Sequence, residues 1–263
     1  LNMNCSLIVC TYNWPEALDL VLLSVENLTV KPDELLLADD GSTLETTNLI
    51  NAFKKRSSIP VSHVWHQDKG FNRSAILNKA IAQSTADYII QTDGDCILHP
   101  SFVKDHKFLA KKNRYLFGSR VSINEKVSPR LFLDKKITFN FFSSGVNKRL
   151  RAIRIPLFSV FFKPKKVLSK KIRGCNISYW KKDFISVNGY NEDMTGWGRE
   201  DSELITRMIN KGCIGKRVRY CGLIYHIWHP PASKTSFNKN DQIQKDATIN
   251  KTIRCENGID KYL

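Results

Sequence analysis

Ala86-Asp87-Tyr88-Ile89-Ile90-Gln91-Thr92-Asp93-Gly94-Asp95 is an apolar run closed by an Asp-X-Asp. Tyr88 to Gln91 reads as a buried strand, and two carboxylates one residue apart at its mouth can both reach one hard divalent cation. Such a cation keeps several waters and takes its remaining ligands from a substrate's phosphates. The position, at the carboxyl end of a fourth βα unit, suggests a site for a nucleotide diphosphate. Asp-Gly-Asp also makes an ordinary turn. The tripeptide alone leaves both readings open.

Outward from this stretch, short apolar runs alternate with segments of helical period. Cys5 to Cys10 reads as the first strand, and Pro15 opens a helix to about Leu28 with Leu18, Val21, Leu22 and Val25 on one face. Glu34 to Ala38 and Val61 to Trp65 are the second and third strands, with a helix between them ending near Lys55. Arg73 to Ser84 is helical by the spacing of Ala75, Ile76, Ala80 and Ile81. The alternation predicts an α/β fold, a Rossmann-like, mainly parallel sheet flanked by helices, with ligands outside the carboxyl ends of the strands. Further on, the pattern predicts a helix from Pro100 to about Lys112 and a strand from Tyr115 to Val121. A helix from Glu200 to about Lys211 and strands near Lys216 to Tyr220 and Leu223 to His226 follow. The tail from Asn238 is polar with weak helical character.

Several classes are excluded. No Gly-x-Gly-x-x-Gly follows the first strand and no Gly-Lys-Ser/Thr loop occurs, which disfavours a dinucleotide oxidoreductase or a P-loop nucleotidase. No window supplies the roughly 18 apolar residues of a membrane span, and Leu1 to Tyr12 lacks the features of a secretory leader. The seven cysteines are scattered without a Cys-x-x-Cys pair, so a reducing compartment is expected rather than a disulfide scaffold or structural zinc.

The formal charge of +16 is concentrated. Lys126 to Arg173 holds fourteen Lys or Arg against one acid, Asp134, leaving only +3 for the rest of the chain. These cations interleave with Phe139, Phe141, Phe142, Ile153, Ile155, Leu157, Phe158, Val160, Phe161 and Phe162. Basic residues flanking apolar ones suit an anionic membrane surface first, a folded basic subdomain second and nucleic acid last.

Every polar cluster of the first half falls at a strand end: Thr11-Tyr12-Asn13, Asp39-Asp40-Gly41-Ser42, Gln67-Asp68-Lys69-Gly70 and Asp93-Gly94-Asp95. With Gly70-Phe71-Asn72-Arg73 and Asn78, these motifs resemble the nucleotide-binding half of glycosyltransferase family 2, which has the GT-A fold. Gly174-Cys175-Asn176-Ile177, Val187-Asn188-Gly189-Tyr190 and Gly196-Trp197-Gly198-Arg199-Glu200-Asp201 resemble the acceptor half shared with β-1,4-galactosyltransferases and chondroitin-type polymerases. The resemblance covers about Cys5 to Val121 and Arg173 to Pro230. It implies a single domain over residues 3–263: a nucleotide-sugar-binding half (3–121), a basic apolar insertion (122–172), an acceptor and catalytic half (173–230) and a tail (231–263).

By this resemblance Thr11, Tyr12, Asn13, Asp39, Asp40, Asp68, Arg73, Asn78, Asp93 and Gly94 hold the nucleotide sugar. Asp39 suits a uracil N–H or ribose hydroxyl, because an ionised carboxylate only accepts. Arg73 opens its helix, where fork donors and the dipole favour phosphate. Asp95, with Asp93, is expected to bind Mn²⁺ or Mg²⁺, and a third ligand comes from His226 or His229. Three residues apart on a strand, these imidazoles would face opposite ways, so one is expected to bind, His226 ahead of His229. Glu200-Asp201 is the catalytic pair, with Asp201 as general base in a helix's first turn. Gly174, Asn176, Trp197 and Gly198 form the acceptor side, the indole offering a flat face to a sugar ring.

The implied activity is metal-dependent, inverting transfer from a nucleotide sugar, UDP-linked by preference, to a cell-surface glycan or lipid-linked acceptor. The implied place is the cytoplasm, at the inner face of the membrane. A sugar nucleotidyltransferase and a non-catalytic glycan- or lipid-binding relative are the alternatives.

Overall fold

The computed structural model describes residues 3–231 and 233–263. In chain order its strands are β1 (Cys5–Thr11), β2 (Glu34–Asp39), β3 (Val61–Trp65), β4 (Tyr88–Asp93), β5 (Cys96–Leu98), β6 (Arg114–Gly118), β7 (Arg120–Ile123), β8 (Val146–Asn147), β9 (Ile177–Trp180), β10 (Ile214–Val218) and β11 (Ile224–His226). The helices are α1 (Pro15–Glu26), α2 (Leu44–Arg56), α3 (Arg73–Gln83), α4 (Phe102–Leu109), α5 (Ser128–Leu133), α6 (Lys181–Ser186), α7 (Glu200–Lys211) and α8 (Phe237–Ile249).

A seven-stranded sheet runs β10-β6-β9-β4-β1-β2-β3. Its β4-β1-β2-β3 part is parallel, as the alternation predicts, and the register puts Cys10 opposite both Ala38 and Asp93. Parallel strands share a direction, so Thr11, Asp39 and Asp93 emerge on one edge. Leu18, Val21, Leu22 and Phe53 of α1 and α2 are buried on one face of this sheet. On the other face lie Ile76, Leu77 and Ile81 of α3 with Leu204, Ile205 and Met208 of α7. Each such side chain contributes about 1.5–3 kcal/mol by leaving water.

The sheet is mainly parallel, as expected, with β9 antiparallel between β4 and β6. One feature departs from the sequence reading. The run expected as one strand from Tyr115 to Val121 is two strands. Gly118, pressed against the Asn176 side chain where a Cβ has no room, ends β6, and β7 joins a second sheet ordered β5-β11-β7-β8. In that sheet β11 pairs antiparallel with β5, setting His226 opposite Cys96, the residue after Asp95.

The basic insertion is folded onto these sheets. Lys216 Nζ of β10 donates to the Ser159 carbonyl (2.9 Å) and the Phe162 carbonyl (2.8 Å), Lys165 bridges to Gly215, and Arg154 pairs with Asp105. Phe139 is buried against Tyr225, ring centres 5.0 Å apart. The polar tail forms α8 against α7, where Asn210 Nδ2 donates to the carbonyls of Ala247 (3.1 Å) and Thr252 (2.8 Å).

Candidate active site

A cavity of about 1090 Å³ opens at the carboxyl edge of β1, β2 and β4, walled on its far side by residues 168–175 and α7. Thr11, Tyr12, Asp40, Arg73, Asp93, Gly94, Asp95, Gly174, Trp197, Gly198, Glu200, Asp201, His226 and His229 all line it. Strand register delivers the first half of this set, and the start of α7 delivers Glu200 and Asp201.

Asp201 is held from three sides. Its Oδ2 accepts from the Gly174 N–H (2.7 Å), and its Oδ1 from Arg73 Nη1 (3.2 Å) and the Tyr190 hydroxyl (3.2 Å). Tyr190 has one proton to give. It lies between two acceptors, Gln91 Oε1 (3.0 Å), which also accepts from Tyr179 (3.1 Å), and Asp201 Oδ1. Gly174 is required here, because a Cβ would collide with the Asp201 carboxylate. Beside it, burial and the Asp201 charge push the Glu200 carboxyl up to about 7, while its Oε2 accepts from the Gly198 N–H (3.0 Å).

Arg73 is buried and spends its fork on carboxylates. Nη2 lies 2.5 Å from Asp93 Oδ1 and Nη1 reaches Asp201. Burial opposes the guanidinium's charge, but Asp93 and Asp201 outweigh it and hold its pKa well above the ordinary value. Where a phosphate was expected on this guanidinium, the fork ties the Asp-X-Asp to Asp201. Burial raises Asp93 despite this partner.

The metal expectation changes in detail. His226 Nε2 and His229 Nε2 approach the same Asp95 Oδ2 at 3.3 and 3.2 Å, and the three side chains can offer ligand atoms all within 4.8 Å of one another. The opposite-faces argument fails because β11 ends at His226, so strand alternation does not carry on to His229. Asp93, engaged by Arg73, is not in this group. Burial works to raise Asp95, but hydrogen bonds from His226 and His229 prevail and hold it far below the usual carboxylate range. The bond to Asp95 in turn raises His229. Two imidazoles and a carboxylate fit Mn²⁺ better than Mg²⁺, which prefers oxygen ligands and near-octahedral geometry.

Five expected residues do not face the cavity. Asp39 is wholly buried, accepting from the Ser42 N–H (2.8 Å) and bonded to His63 Nε2 (2.8 Å); its neighbour Asp40 takes the cavity position. Asn13 binds the β1 and β2 turns together by accepting from the Thr43 N–H (2.9 Å). Asp68 sits outside, accepting from the Tyr12 hydroxyl (2.9 Å) and so steadying that ring at the rim. Asn78 ties α3 to the Tyr190 backbone by donating to its carbonyl and accepting from its N–H, 2.8 Å each. Asn176 donates to the Ser119 and Gly222 carbonyls.

Other contributors carry little sequence signal. Phe237 of α8 stacks beneath Trp197, ring centres 6.3 Å apart at 25°, and Gln244 of the same helix accepts from Ser202 Oγ (2.6 Å). Arg120, Lys170, Arg173 and Lys234 also line the cavity.

Comparison with known proteins agrees with this architecture. Residues 6–169 match the model of Glycosyl transferase family 2, and residues 158–230 match that of the N-terminal domain of galactosyltransferase. The chain is 24% identical to a chondroitin synthase of Escherichia coli over 89% of its own length and 36% of that protein. To a hyaluronan synthase of Pasteurella multocida it is 23% identical, over 94% of this chain and 26% of the other. It therefore spans about a quarter to a third of these relatives. S. aureus TarS superimposes with a TM-score of 0.65 at 15% identity, covering 95% of this chain and 41% of TarS. A mannosyltransferase of Pyrobaculum calidifontis, solved with GDP-Man and Mn²⁺, superimposes at 0.60 and 16%, over 86% of this chain and 57% of that one. The shared fold is GT-A. Matched across more than half of its length, the chain belongs to glycosyl transferase family 2.

Proposed function

We propose that this chain transfers a sugar, with inversion, from a nucleotide sugar to a hydroxyl of a glycan or lipid-linked acceptor. The observation that carries the reading is the meeting of Asp95, His226, His229 and Asp201 in one cavity, although they lie far apart in sequence. Thr11, Tyr12 and Asp40 would seat the nucleoside, UDP by preference, with Asp93 near the ribose. A divalent cation on Asp95, His226 and His229 would offset the charge that develops on the departing diphosphate. Asp201 takes the proton from the acceptor hydroxyl, whose oxygen bonds to the anomeric carbon as the carbon–diphosphate bond breaks on the opposite face. The Gly174, Tyr190 and Arg73 groups around that carboxylate hold it in place. Trp197 on Phe237 provides the sugar platform.

No helix among the described residues is long and apolar enough to cross a membrane. A peripheral contact on the cytoplasmic face would use the insertion, where Leu157, Phe158, Val160 and Phe161 are exposed beside Lys163, Lys165 and Lys166.

Asp201→Asn tests the base. Donor binding should stay within about twofold while turnover falls roughly 10²- to 10⁴-fold. A near-normal rate in the purified variant would remove the assignment.

A further inference from the structure

Gln91 is an amide wholly buried in an apolar layer. By strand alternation it shares the face of β4 that Ile89 presents to α3 and α7, beside Ile177, Tyr179 and Tyr190. An amide in such a layer costs free energy unless its groups are bonded, and an apolar side chain would fill the space without that demand. The partners of this amide lead to Asp201 from two directions.

Gln91 Nε2 donates to the Gly174 carbonyl (3.1 Å), and the N–H of the same glycine donates to Asp201 Oδ2 (2.7 Å). Gln91 Oε1 accepts from the hydroxyls of Tyr179 (3.1 Å) and Tyr190 (3.0 Å), and the Tyr190 oxygen lies 3.2 Å from Asp201 Oδ1. A closed circuit thus runs Gln91–Gly174–Asp201–Tyr190, with one amide bracing the group beside each carboxylate oxygen. Its orientation follows from its partners: the Gly174 carbonyl only accepts, so the nitrogen faces it and the oxygen faces the phenols. The phenols are themselves held. Tyr179 stacks on Phe184 with ring centres 5.1 Å apart, Tyr190 meets the same ring edge-on at 5.6 Å, and Asn78 fixes the Tyr190 backbone. Asp201 stands at the start of α7 with its side chain 20% exposed, where several staggered positions would otherwise be open to it. Gln91, Tyr179 and Tyr190 lie behind the cavity wall and do not line it.

Building on the glycosyltransferase reading, we propose that Gln91 is a positioning residue of the transfer reaction, setting the attitude of the Asp201 carboxylate toward the attacking hydroxyl through Gly174 and Tyr190. Tyr179, which does not bond to Asp201, serves the same end by holding Gln91 Oε1.

The test follows UDP release from UDP-glucose, UDP-galactose, UDP-N-acetylglucosamine and UDP-glucuronate with Mn²⁺ and with water as acceptor, and continues with the sugar that the parent cleaves fastest. Gln91→Met, close in size and without hydrogen bonds, should lower kcat roughly 10- to 100-fold and leave KM and UDP affinity within about twofold. Tyr179→Phe deletes one oxygen and should lower kcat about 2- to 10-fold in the same pattern, which keeps the test open if Gln91→Met does not fold. In an Asp201→Asn background either substitution should change the remaining kcat less than about twofold, because a residue acting through the base has nothing left to act on. The inference is overturned if kcat survives in every folded variant, if UDP affinity falls in step with kcat, or if the losses multiply in full with Asp201→Asn. A parent that releases no UDP from any of these sugars, or Asp201→Asn as fast as the parent, would instead overturn the reading beneath it.

Discussion

Replacing Arg73 with methionine takes away the cation lodged between Asp93 and Asp201 and keeps most of the side chain's volume. With nitrogen–oxygen distances of 2.5 and 3.2 Å, the charge centres of each pair lie about 4 Å apart. At the effective dielectric of about 20 that describes such sites, each attraction is worth about 4 kcal/mol before desolvation. The variant leaves two carboxylates facing each other without that attraction, and stripping one partner from a buried ion pair typically costs about 3–5 kcal/mol. Urea unfolding should register a loss of that size. Adding Asp93→Asn, which removes one of the stranded charges, should recover roughly 1–3 kcal/mol as a coupling energy. Turnover should fall with stability in the single variant, because Asp201 loses an anchor. A loss under about 1 kcal/mol, or strict additivity with Asp93→Asn, would refute the reasoning that Arg73 neutralises this cluster.

Two further outcomes follow from the same structure. Glu200, pushed up to about 7 from 4.5, binds more protons folded than unfolded between those values, so its contribution to stability falls as pH rises through that window. Glu200→Gln should match the parent near pH 4 and exceed it by up to roughly 3 kcal/mol at pH 8 in urea unfolding, and a constant difference across the range would contradict this. In vesicle flotation the parent should bind anionic and not neutral membranes, and Phe158→Ser with Phe161→Ser should weaken binding at least about tenfold by removing two exposed rings that would enter the bilayer. Equal binding to both vesicle types, or none to either, would retire the membrane contact.

How far the sequence announces this protein differs by region. β1 to β4 and α1 to α3 are readable within a residue or two, because long apolar runs and three-four spacing carry them and turn residues bound them. β5, β8 and β9 are too short to show a period, and α8 buries only Asn240 and Ala247, so its pattern is faint. Asp95 and Asp201 stand where their motifs place them, in the same cavity. Asp39 and Asp40 exchange places because adjacent residues at a strand end point opposite ways, and only the register with β1 and β3 decides which one meets the cavity. Arg73's partnership with Asp201 spans 128 residues of chain, and no local signal encodes it. β11 ends at His226 as expected, but strand alternation says nothing of the path from Ile227 to His229 that brings the second imidazole to Asp95.

The most direct test of the metal-and-diphosphate site at the heart of this account is calorimetric titration of UDP into the parent, His226→Ala/His229→Ala and Asp201→Asn, each with Mn²⁺ and with EDTA. UDP should bind the parent and Asp201→Asn only when Mn²⁺ is present, and should fail to bind the double-histidine variant in either condition. UDP affinity that survives both EDTA and loss of the two imidazoles would contradict the account.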